Sequence, residues 1–150
     1  MTENGLGTHV VTQIAVVVKD IERAIDAYSR ILGLPKPEVR VTDPKQARGV
    51  YRGKPTNAAA KLAFFNLGQV TLELIEPLGG DSVWQEVLDE KGEGFHHIAF
   101  QVKDTPKVTA FLEEQGIPVI QQGHYTGGMY TYVDSEPVLG IMLELLENFE

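Results

Sequence analysis

QIAVVVKD at residues 13–20 is repeated as HIAFQVKD at residues 97–104, and both stretches fit the pattern x-I-A-x-x-V-K-D. A second pair follows in the same order, with TLELIEP at 71–77 and MLELLEN at 142–148. The first pair is offset by 84 residues and the second by 71, so the first copy carries 13 more residues between its landmarks. Two matches in the same order indicate two tandem copies of one structural module.

Each copy has the pattern of a strand, a helix and three further strands. The apolar run Val10–Val18 precedes Asp20, which we expect to cap a helix that ends at Gly33. In the second copy Thr105 is the expected cap and Pro106 the first helical residue. The strands after the two helices are predicted at 38–42, 60–66 and 70–76 in the first copy and at 117–121, 129–133 and 140–146 in the second.

The repeat predicts a single α+β domain of two tandem βαβββ modules over the whole chain of 150 residues. Module one covers about 8–77 and module two about 94–147. A linking helix over about 81–91 begins near Ser82, because a serine followed three residues later by glutamine is typical of a capping box. The extra residues of the first copy fit the irregular stretch 35–57, which is rich in Pro, Lys and Arg.

Composition excludes several classes of function. The formal net charge of −8 is unfavourable for binding nucleic acid or an anionic membrane surface. The absence of cysteine excludes disulfides, thiolate metal sites and cysteine nucleophiles. The first residues, MTENGLGTHV, lack the basic and apolar regions of a signal peptide, and no apolar run approaches the ~20 residues that span a bilayer. We therefore expect a cytoplasmic protein with neither a nucleic acid nor a membrane as partner.

Four polar residues occupy equivalent positions of the two copies inside apolar strands. Gln13 and His97 lie in the first strand of each copy, and Glu73 and Glu144 lie in the last strand. A carboxylate among Leu and Ile is costly unless its charge is compensated, and one bound cation would serve all four groups. These ligand types suit a divalent Zn, Ni, Co, Mn or Fe ion. Singly, the glutamates would also fit solvent-facing strand positions and the histidine a hydrogen-bonded core position; the shared symmetry favours a metal site.

These landmarks resemble the vicinal-oxygen-chelate superfamily, which includes glyoxalase I, methylmalonyl-CoA epimerase, ring-cleaving dioxygenases and bleomycin and fosfomycin resistance proteins. The resemblance extends from about Thr12 to Leu146 and is strongest to methylmalonyl-CoA epimerases, in AFFNLG (63–68), LELIEPLGGDS (72–82) and GFHHIAFQV (94–102). It implies a curved mixed sheet around one divalent metal ion, and a homodimer. The implied metal ligands are Gln13, Glu73, His97 and Glu144.

Strand alternation with a period of two predicts which neighbours of His97 share its face. Phe95 and Ala99 are expected on the same face as His97. His96 is expected on the opposite face, and by the family resemblance it is not a ligand.

The sequence departs from the epimerase pattern at two points. Gln13 occupies a position that is usually His in epimerases, and the set Gln, Glu, His, Glu resembles that of eukaryotic glyoxalase I. The stretch where some epimerases have an additional base glutamate contains Lys61 as its only ionisable side chain. The glutathione-binding positions of glyoxalase I are Val17 and Pro77 here, so glyoxalase I activity itself is not expected.

The resemblance implies a metal-dependent isomerase, epimerase or lyase that removes a proton next to a carbonyl, similar to methylmalonyl-CoA epimerase. The expected substrate is a small molecule such as an acyl-CoA, and the candidate bases are Glu144 and Lys61. Three alternatives stay open: a glyoxalase I-like lyase on another thiol adduct, a metal-dependent oxygenase, and a non-catalytic small-molecule binding protein of the same fold.

A second group of residues is a candidate for substrate binding. Tyr130 and Tyr132 share one strand face after the glycine pair Gly127–Gly128, and His124 comes just before it. These side chains would orient a substrate on a pocket wall, or they would form an ordinary hairpin with core tyrosines. Basic residues of the inserted stretch would meet an acidic group such as a CoA phosphate, or lie in a solvated loop: Arg48, Arg52 and Lys54.

Overall fold

The computed structural model describes residues 5–149; residues 1–4 and 150, which the sequence prediction includes in the single domain, lie outside the described residues. The strands are β1 (Val11–Val17), β2 (Arg40–Val41), β3 (Val50–Tyr51), β4 (Lys54–Pro55), β5 (Ala60–Asn66), β6 (Thr71–Pro77), β7 (Gly94–Gln101), β8 (Val119–Tyr125), β9 (Gly128–Val133) and β10 (Leu143–Asn148). The helices are α1 (Ile21–Leu32), α2 (Pro44–Ala47), α3 (Val83–Lys91), α4 (Thr105–Glu114) and α5 (Glu136–Leu139). Within residues 5–149, none of the helices has both the length and the apolar character that a membrane crossing requires.

All ten strands form one curled mixed sheet in the order β2-β5-β6-β1-β7-β10-β9-β8-β3-β4. β1 and β7, the first strands of the two modules, pair antiparallel at the centre. Each of them also pairs in parallel with the last strand of its own module, β1 with β6 and β7 with β10. The sheet therefore has the internal twofold repetition that the sequence predicts.

The two long helices cover one face of this sheet. Ile21 and Ile25 of α1 pack against the alternate residues of β5 and β6, and Val108 and Leu112 of α4 pack against β9 and β10. On the opposite face, Trp84 of α3 lies in a third apolar cluster with residues of β1, β6 and β9. The face that carries α3 is the concave side, where the cavity described below is found.

The predicted ends of α1 are confirmed and those of α4 are partly wrong. The Asp20 side chain accepts a hydrogen bond from the Arg23 amide, and Gly33 ends α1 with a φ of 71° that suits glycine. In module two the cap is Asp104, with a φ of 58°, and Thr105 is already the first helical residue. The cap lies one residue earlier than predicted because the Glu147 carboxylate binds the Thr105 side chain.

The contact made by the Glu147 carboxylate has an equivalent in module one. Glu147 accepts hydrogen bonds from the Thr105 amide (2.9 Å) and the Thr105 hydroxyl (2.6 Å), at the start of α4. Glu76, 71 positions earlier, accepts from the Ile21 amide (2.9 Å) at the start of α1. ELIE (73–76) and ELLE (144–147) are equivalent sequences of the two modules. In each, the second glutamate binds backbone amides at the start of its own module's helix, which have no partner within the helix and where the helix dipole also favours an anion.

Replacing Glu147 with alanine is expected to cost about 1 kcal/mol of unfolding free energy at neutral pH, as for other lost helix caps. Hydrogen bonds from the Thr105 hydroxyl and then its amide hold the pKa of Glu147 below its ordinary value. The stabilisation is present above the unfolded-state pKa and is lost as pH falls through the folded-state one. Urea unfolding at several pH values measures it. Glu114→Ala, an exposed change on α4, is the control and should stay within about 0.5 kcal/mol.

The inserted stretch connects the two edges of the sheet. β2 pairs with β5 of module one, whereas β3 pairs with β8 of module two. Between them α2 crosses the open side of the curled sheet. The side-chain amide of Gln46 donates a hydrogen bond to the Thr126 hydroxyl (2.7 Å). The strand predicted at 38–42 is therefore only two residues long, and the insertion belongs structurally to both modules.

Candidate metal centre and cavity

The concave face of the sheet encloses a cavity of about 540 Å³. It lies at the centre of the curl, between the α2 crossing and the paired strands β1 and β7. Six of the residues singled out from the sequence line it: Gln13, Glu73, His124, Tyr130, Tyr132 and Glu144. These residues are far apart in the chain, and the structure places them on one wall of the cavity.

Three of the four predicted metal ligands, Glu73, His97 and Glu144, come together at this wall. One ligand atom each from Glu73, His97 and Glu144 lies within 4.8 Å of the others, and all three residues are buried. Nε2 of His97 is 2.9 Å from Oε1 of Glu144 and 3.6 Å from Oε1 of Glu73. The three atoms surround one point, which is the arrangement that a single cation requires.

None of these three atoms has a hydrogen-bond partner among the described residues. The 2.9 Å approach of Glu144 to His97 is short, but it lacks the angular geometry of a hydrogen bond. Buried polar atoms without a partner are rare and cost about 1–3 kcal/mol each. An imidazole nitrogen and two carboxylate oxygens are ligands of divalent transition metals, so the donor set fits such an ion.

Burial sets the protonation of the group. Desolvation raises the pKa of Glu144 to about 8, partly offset by the Tyr132 hydroxyl. Desolvation, and then the charge of Glu144, raise the pKa of Glu73 well above its ordinary value. Desolvation lowers the pKa of His97 to about 3, so its imidazole is neutral at pH 7 and its contact with Glu144 is not an ion pair. A neutral imidazole is the form that binds metal.

Strand register explains how these residues meet. Ala15 of β1 is flanked by Glu73 on β6 and by His97 on β7. Ala99 of β7 is flanked in the same way by Gln13 on β1 and by Glu144 on β10. The four predicted ligands thus lie in two adjacent rows across the sheet, each with a fully buried alanine in the middle. The small methyl group leaves space between the longer side chains.

The predicted alternation is wrong at Phe95 and His96, because a bulge interrupts it. On β7, His97 lies opposite Ala15 but Phe95 lies opposite Val16, so His96 is an extra residue. Phe95 is consequently half exposed, whereas the rings of His96 and His97 are both buried with centroids 5.0 Å apart. A matching register shift on β1 leaves out Thr12, the equivalent of His96. Each bulge comes directly before a predicted ligand.

The structure does not bring Lys61 to this group. Leu62 and Phe64 of β5 line the cavity, whereas Lys61 alternates with them and shares the strand face of Ala63 and Phe65, which packs against α1. Of the two candidate bases, only Glu144 is at the cavity.

A buried and a partly buried hydrogen bond hold the two tyrosines of the wall in place. The Tyr132 hydroxyl accepts from the Trp84 indole N–H (2.9 Å), and the Tyr130 hydroxyl accepts from the Gln121 amide (3.0 Å). Each phenol keeps its own proton to donate, since burial raises the pKa of Tyr130 to about 12 and that of Tyr132 well above its ordinary value. Trp84 lines the cavity and was not predicted from the sequence, where it is only an apolar residue of the linking helix.

The basic residues of the insertion have different surroundings. Arg52 donates two hydrogen bonds from Nη2 to the Glu86 carboxylate (2.9 and 3.0 Å) and one from Nε to the Tyr51 hydroxyl (3.0 Å), so this guanidinium is already paired. Arg40, which was not singled out from the sequence, lines the cavity with its guanidinium 5.9 Å from the ring centre of Phe64. Only the path of the insertion across the curl shows that Arg40 faces the cavity.

Comparison with known proteins identifies similar chains. The family model of the glyoxalase/bleomycin resistance protein/dioxygenase superfamily matches residues 12–133. The uncharacterized protein YqjC of Bacillus subtilis (strain 168) is 30% identical over 138 residues, which are 89% of each chain. Mitochondrial methylmalonyl-CoA epimerase of Bos taurus is 31% identical over 110 residues, which are 73% of this chain and 55% of the bovine protein. This chain therefore matches about half the length of that relative.

Solved structures have the same fold. The crystal structure of methylmalonyl-CoA epimerase from Mycobacterium tuberculosis aligns over 100% of this chain and 94% of its own, with a TM-score of 0.69 and 21% identity. The predicted fold of two βαβββ modules in a curved mixed sheet is thereby confirmed.

Proposed function

Because the chain belongs to the glyoxalase/bleomycin resistance protein/dioxygenase superfamily, we propose that it is a metal-dependent epimerase that removes and returns a proton next to a carbonyl. Its similarity to methylmalonyl-CoA epimerase supports an epimerase-like enzyme. We propose further that its substrate is an acyl-CoA and that Gln13, Glu73, His97 and Glu144 hold one divalent ion. Zn, Ni, Co, Mn and Fe are the candidates.

The observation that carries this proposal is the buried group of unpartnered atoms beside the cavity. Oε1 of Glu73, Nε2 of His97 and Oε1 of Glu144 lie close together, and none of them has a hydrogen-bond partner in the described part of the chain. A bound divalent ion would compensate them and supply positive charge to an adjacent substrate oxygen.

The chain's own residues have different roles in this proposal. Glu144 has two of them: it is a proposed metal ligand, and it is the proposed base that takes the proton from the carbon next to the carbonyl. The hydroxyls of Tyr130 and Tyr132 orient polar atoms of the substrate, and His124 contributes to the same wall. Apolar side chains such as Leu62 and Phe64 exclude water from the reacting carbon.

Arg40 supports an anionic substrate despite the net charge of −8. Its guanidinium is at the cavity, where it can pair with a carboxylate or a phosphate. Two further expectations are also proposals: a homodimer, which the resemblance implies and light scattering of the purified protein would detect, and a cytoplasmic location, which the sequence suggests.

The test is solvent-deuterium exchange. Protein stripped with a chelator is reloaded with each candidate metal and incubated with methylmalonyl-CoA in D₂O, and mass spectrometry follows label at the carbon between the two carbonyl groups. We expect label with at least one metal and none in the stripped protein, because the proton is removed only when the site is complete. Metal-loaded protein that leaves methylmalonyl-CoA and other 2-substituted acyl-CoA esters unlabelled would refute the epimerase proposal.

A further inference from the structure

We propose that His96 is a positioning residue: it holds His97 in the tautomer whose Nε2 lone pair faces Glu73 and Glu144, ready for a metal ion. The carbonyl group of Val83, in the first turn of α3, holds His96 in place. The proposal rests on the metal centre proposed above, but it concerns the state of the protein before the metal binds.

The bulge in β7 brings the two imidazoles into direct contact. Nδ1 of His96 is 2.7 Å from Nδ1 of His97, and the rings are nearly perpendicular, at 84°. Two nitrogens at this distance share one hydrogen, so one of them donates and the other accepts. Regular alternation would have directed His96 to the other face of the sheet, and the contact would not exist.

The direction of this hydrogen bond follows from the other side of His96. Its Nε2 is 3.2 Å from the carbonyl oxygen of Val83, which is only an acceptor, so Nε2 of His96 carries the hydrogen. In a neutral ring Nδ1 of His96 is then an acceptor, and Nδ1 of His97 must donate to it. Nε2 of His97 is left with its lone pair, which is the atom that a metal needs.

The reverse tautomers fit poorly. Two lone pairs, on Nε2 of His96 and on the Val83 carbonyl, would face each other in a buried position. The hydrogen on Nε2 of His97 would be directed away from a proper hydrogen bond, because the 2.9 Å contact with Glu144 lacks the required angle. The contacts at the Val83 carbonyl and at Nε2 of His97 therefore favour the same pair of tautomers.

The Val83 carbonyl that sets this direction is itself rigidly held. The Val83 amide donates to the buried side chain of Gln121 (2.8 Å), and the Ser82 hydroxyl accepts from the Gln85 amide (3.0 Å) to cap α3. The next residue, Trp84, donates to Tyr132. One helical turn between the two modules thus supports both the histidine pair and the tyrosines of the cavity wall.

Nitrogen NMR tests the tautomer directly. Long-range proton–nitrogen correlations on protein labelled with ¹⁵N-histidine distinguish an imidazole protonated at Nδ1 from one protonated at Nε2. We expect His97 to carry its hydrogen on Nδ1 and His96 on Nε2 in chelator-stripped wild-type protein at pH 7.5. A hydrogen on Nε2 of His97 in the stripped protein would overturn the proposal, whatever happens to the variants.

Zinc affinity measured by competition with a chelating dye supplies the second readout. His96→Leu removes the acceptor and should weaken zinc binding by about 10–100-fold, the usual effect of losing a group that orients a ligand. His96→Asn keeps an acceptor oxygen near the position of Nδ1 and should lose less. His9→Leu, at an exposed histidine, is the control and should bind as wild type does.

The possible failures are distinguishable. His96→Leu that melts as a folded protein and binds zinc within twofold of wild type would overturn the positioning role. If His96→Leu does not fold, the tautomer of His97 in the wild type and the zinc affinity of His96→Asn still test the positioning role. If wild-type protein binds no metal but His97 carries its hydrogen on Nδ1, the positioning by His96 stands and the metal centre proposed above fails.

Discussion

Replacing Glu73 with glutamine is expected to weaken metal binding by more than about 100-fold, and the substitution should at the same time stabilise the metal-free protein. The loss exceeds the 10–100-fold typical of groups behind a ligand, because Glu73 is itself a proposed ligand. Exchange activity at a fixed metal concentration should fall with it. Metal affinity, melting temperature and deuterium exchange measure the three effects on one preparation.

The stabilisation follows from the cost of burying the carboxylate. The pKa of Glu73 is raised in the folded protein, first by desolvation and then by Glu144. In the pH window between the ordinary glutamate pKa of the unfolded state and this raised pKa, the folded state binds more protons than the unfolded state. Stability of the metal-free wild type therefore falls as pH rises through this window. Glutamine has no charge to desolvate, and at pH 8 the gain should be on the order of 1 kcal/mol.

Glu76→Gln is the matched control, since it lies three residues further along the same strand. Its side chain binds the start of α1 rather than the cavity, so this change should leave metal affinity intact and reduce stability slightly. We thus expect Glu73→Gln to raise the stability of the metal-free protein and Glu76→Gln to lower it. A general loosening of β6 would not change stability in opposite directions. Metal binding that survives Glu73→Gln would contradict the proposed ligand set.

Replacing Glu144 with glutamine is expected to slow exchange by about 10²–10⁴-fold, the usual contribution of a general base. An amide oxygen is still able to bind a metal, so metal content must be measured on the variant and the rate expressed per metal-loaded site. At equal metal content, the loss then reports the missing proton acceptor rather than the missing ion.

Lys61→Ala separates the two bases that the sequence suggests. Lys61 lies on the α1 face of β5, away from the cavity, so we expect its replacement to change the rate by less than about twofold. The base assignment would be contradicted by the reverse pattern, in which Lys61→Ala abolishes exchange and Glu144→Gln leaves it intact.

Local signals in the sequence were sufficient for the elements that depend on short-range interactions. Asp20 and Gly33 define α1 because a cap and a left-handed stop act within one turn. The strand at 60–66 was predicted without error. The cap of α4 was predicted one residue late, because Thr105 is held by Glu147, 42 positions away. The strand predicted at 117–121 extends instead over Val119–Tyr125, since its partner β9 determines where pairing ends.

The sequence by itself determined the repeat, the fold of two modules, and the four polar residues whose equivalence points to one shared site. Internal symmetry is visible without coordinates because each copy carries the same apolar pattern. Only the tertiary structure decided that Ala15 and Ala99 separate these residues in two rows, that a bulge brings His96 against His97, and that Lys61 lies outside the cavity. Register, bulges and the path of the insertion depend on pairing between distant strands, and a pattern with a period of two contains no information about them.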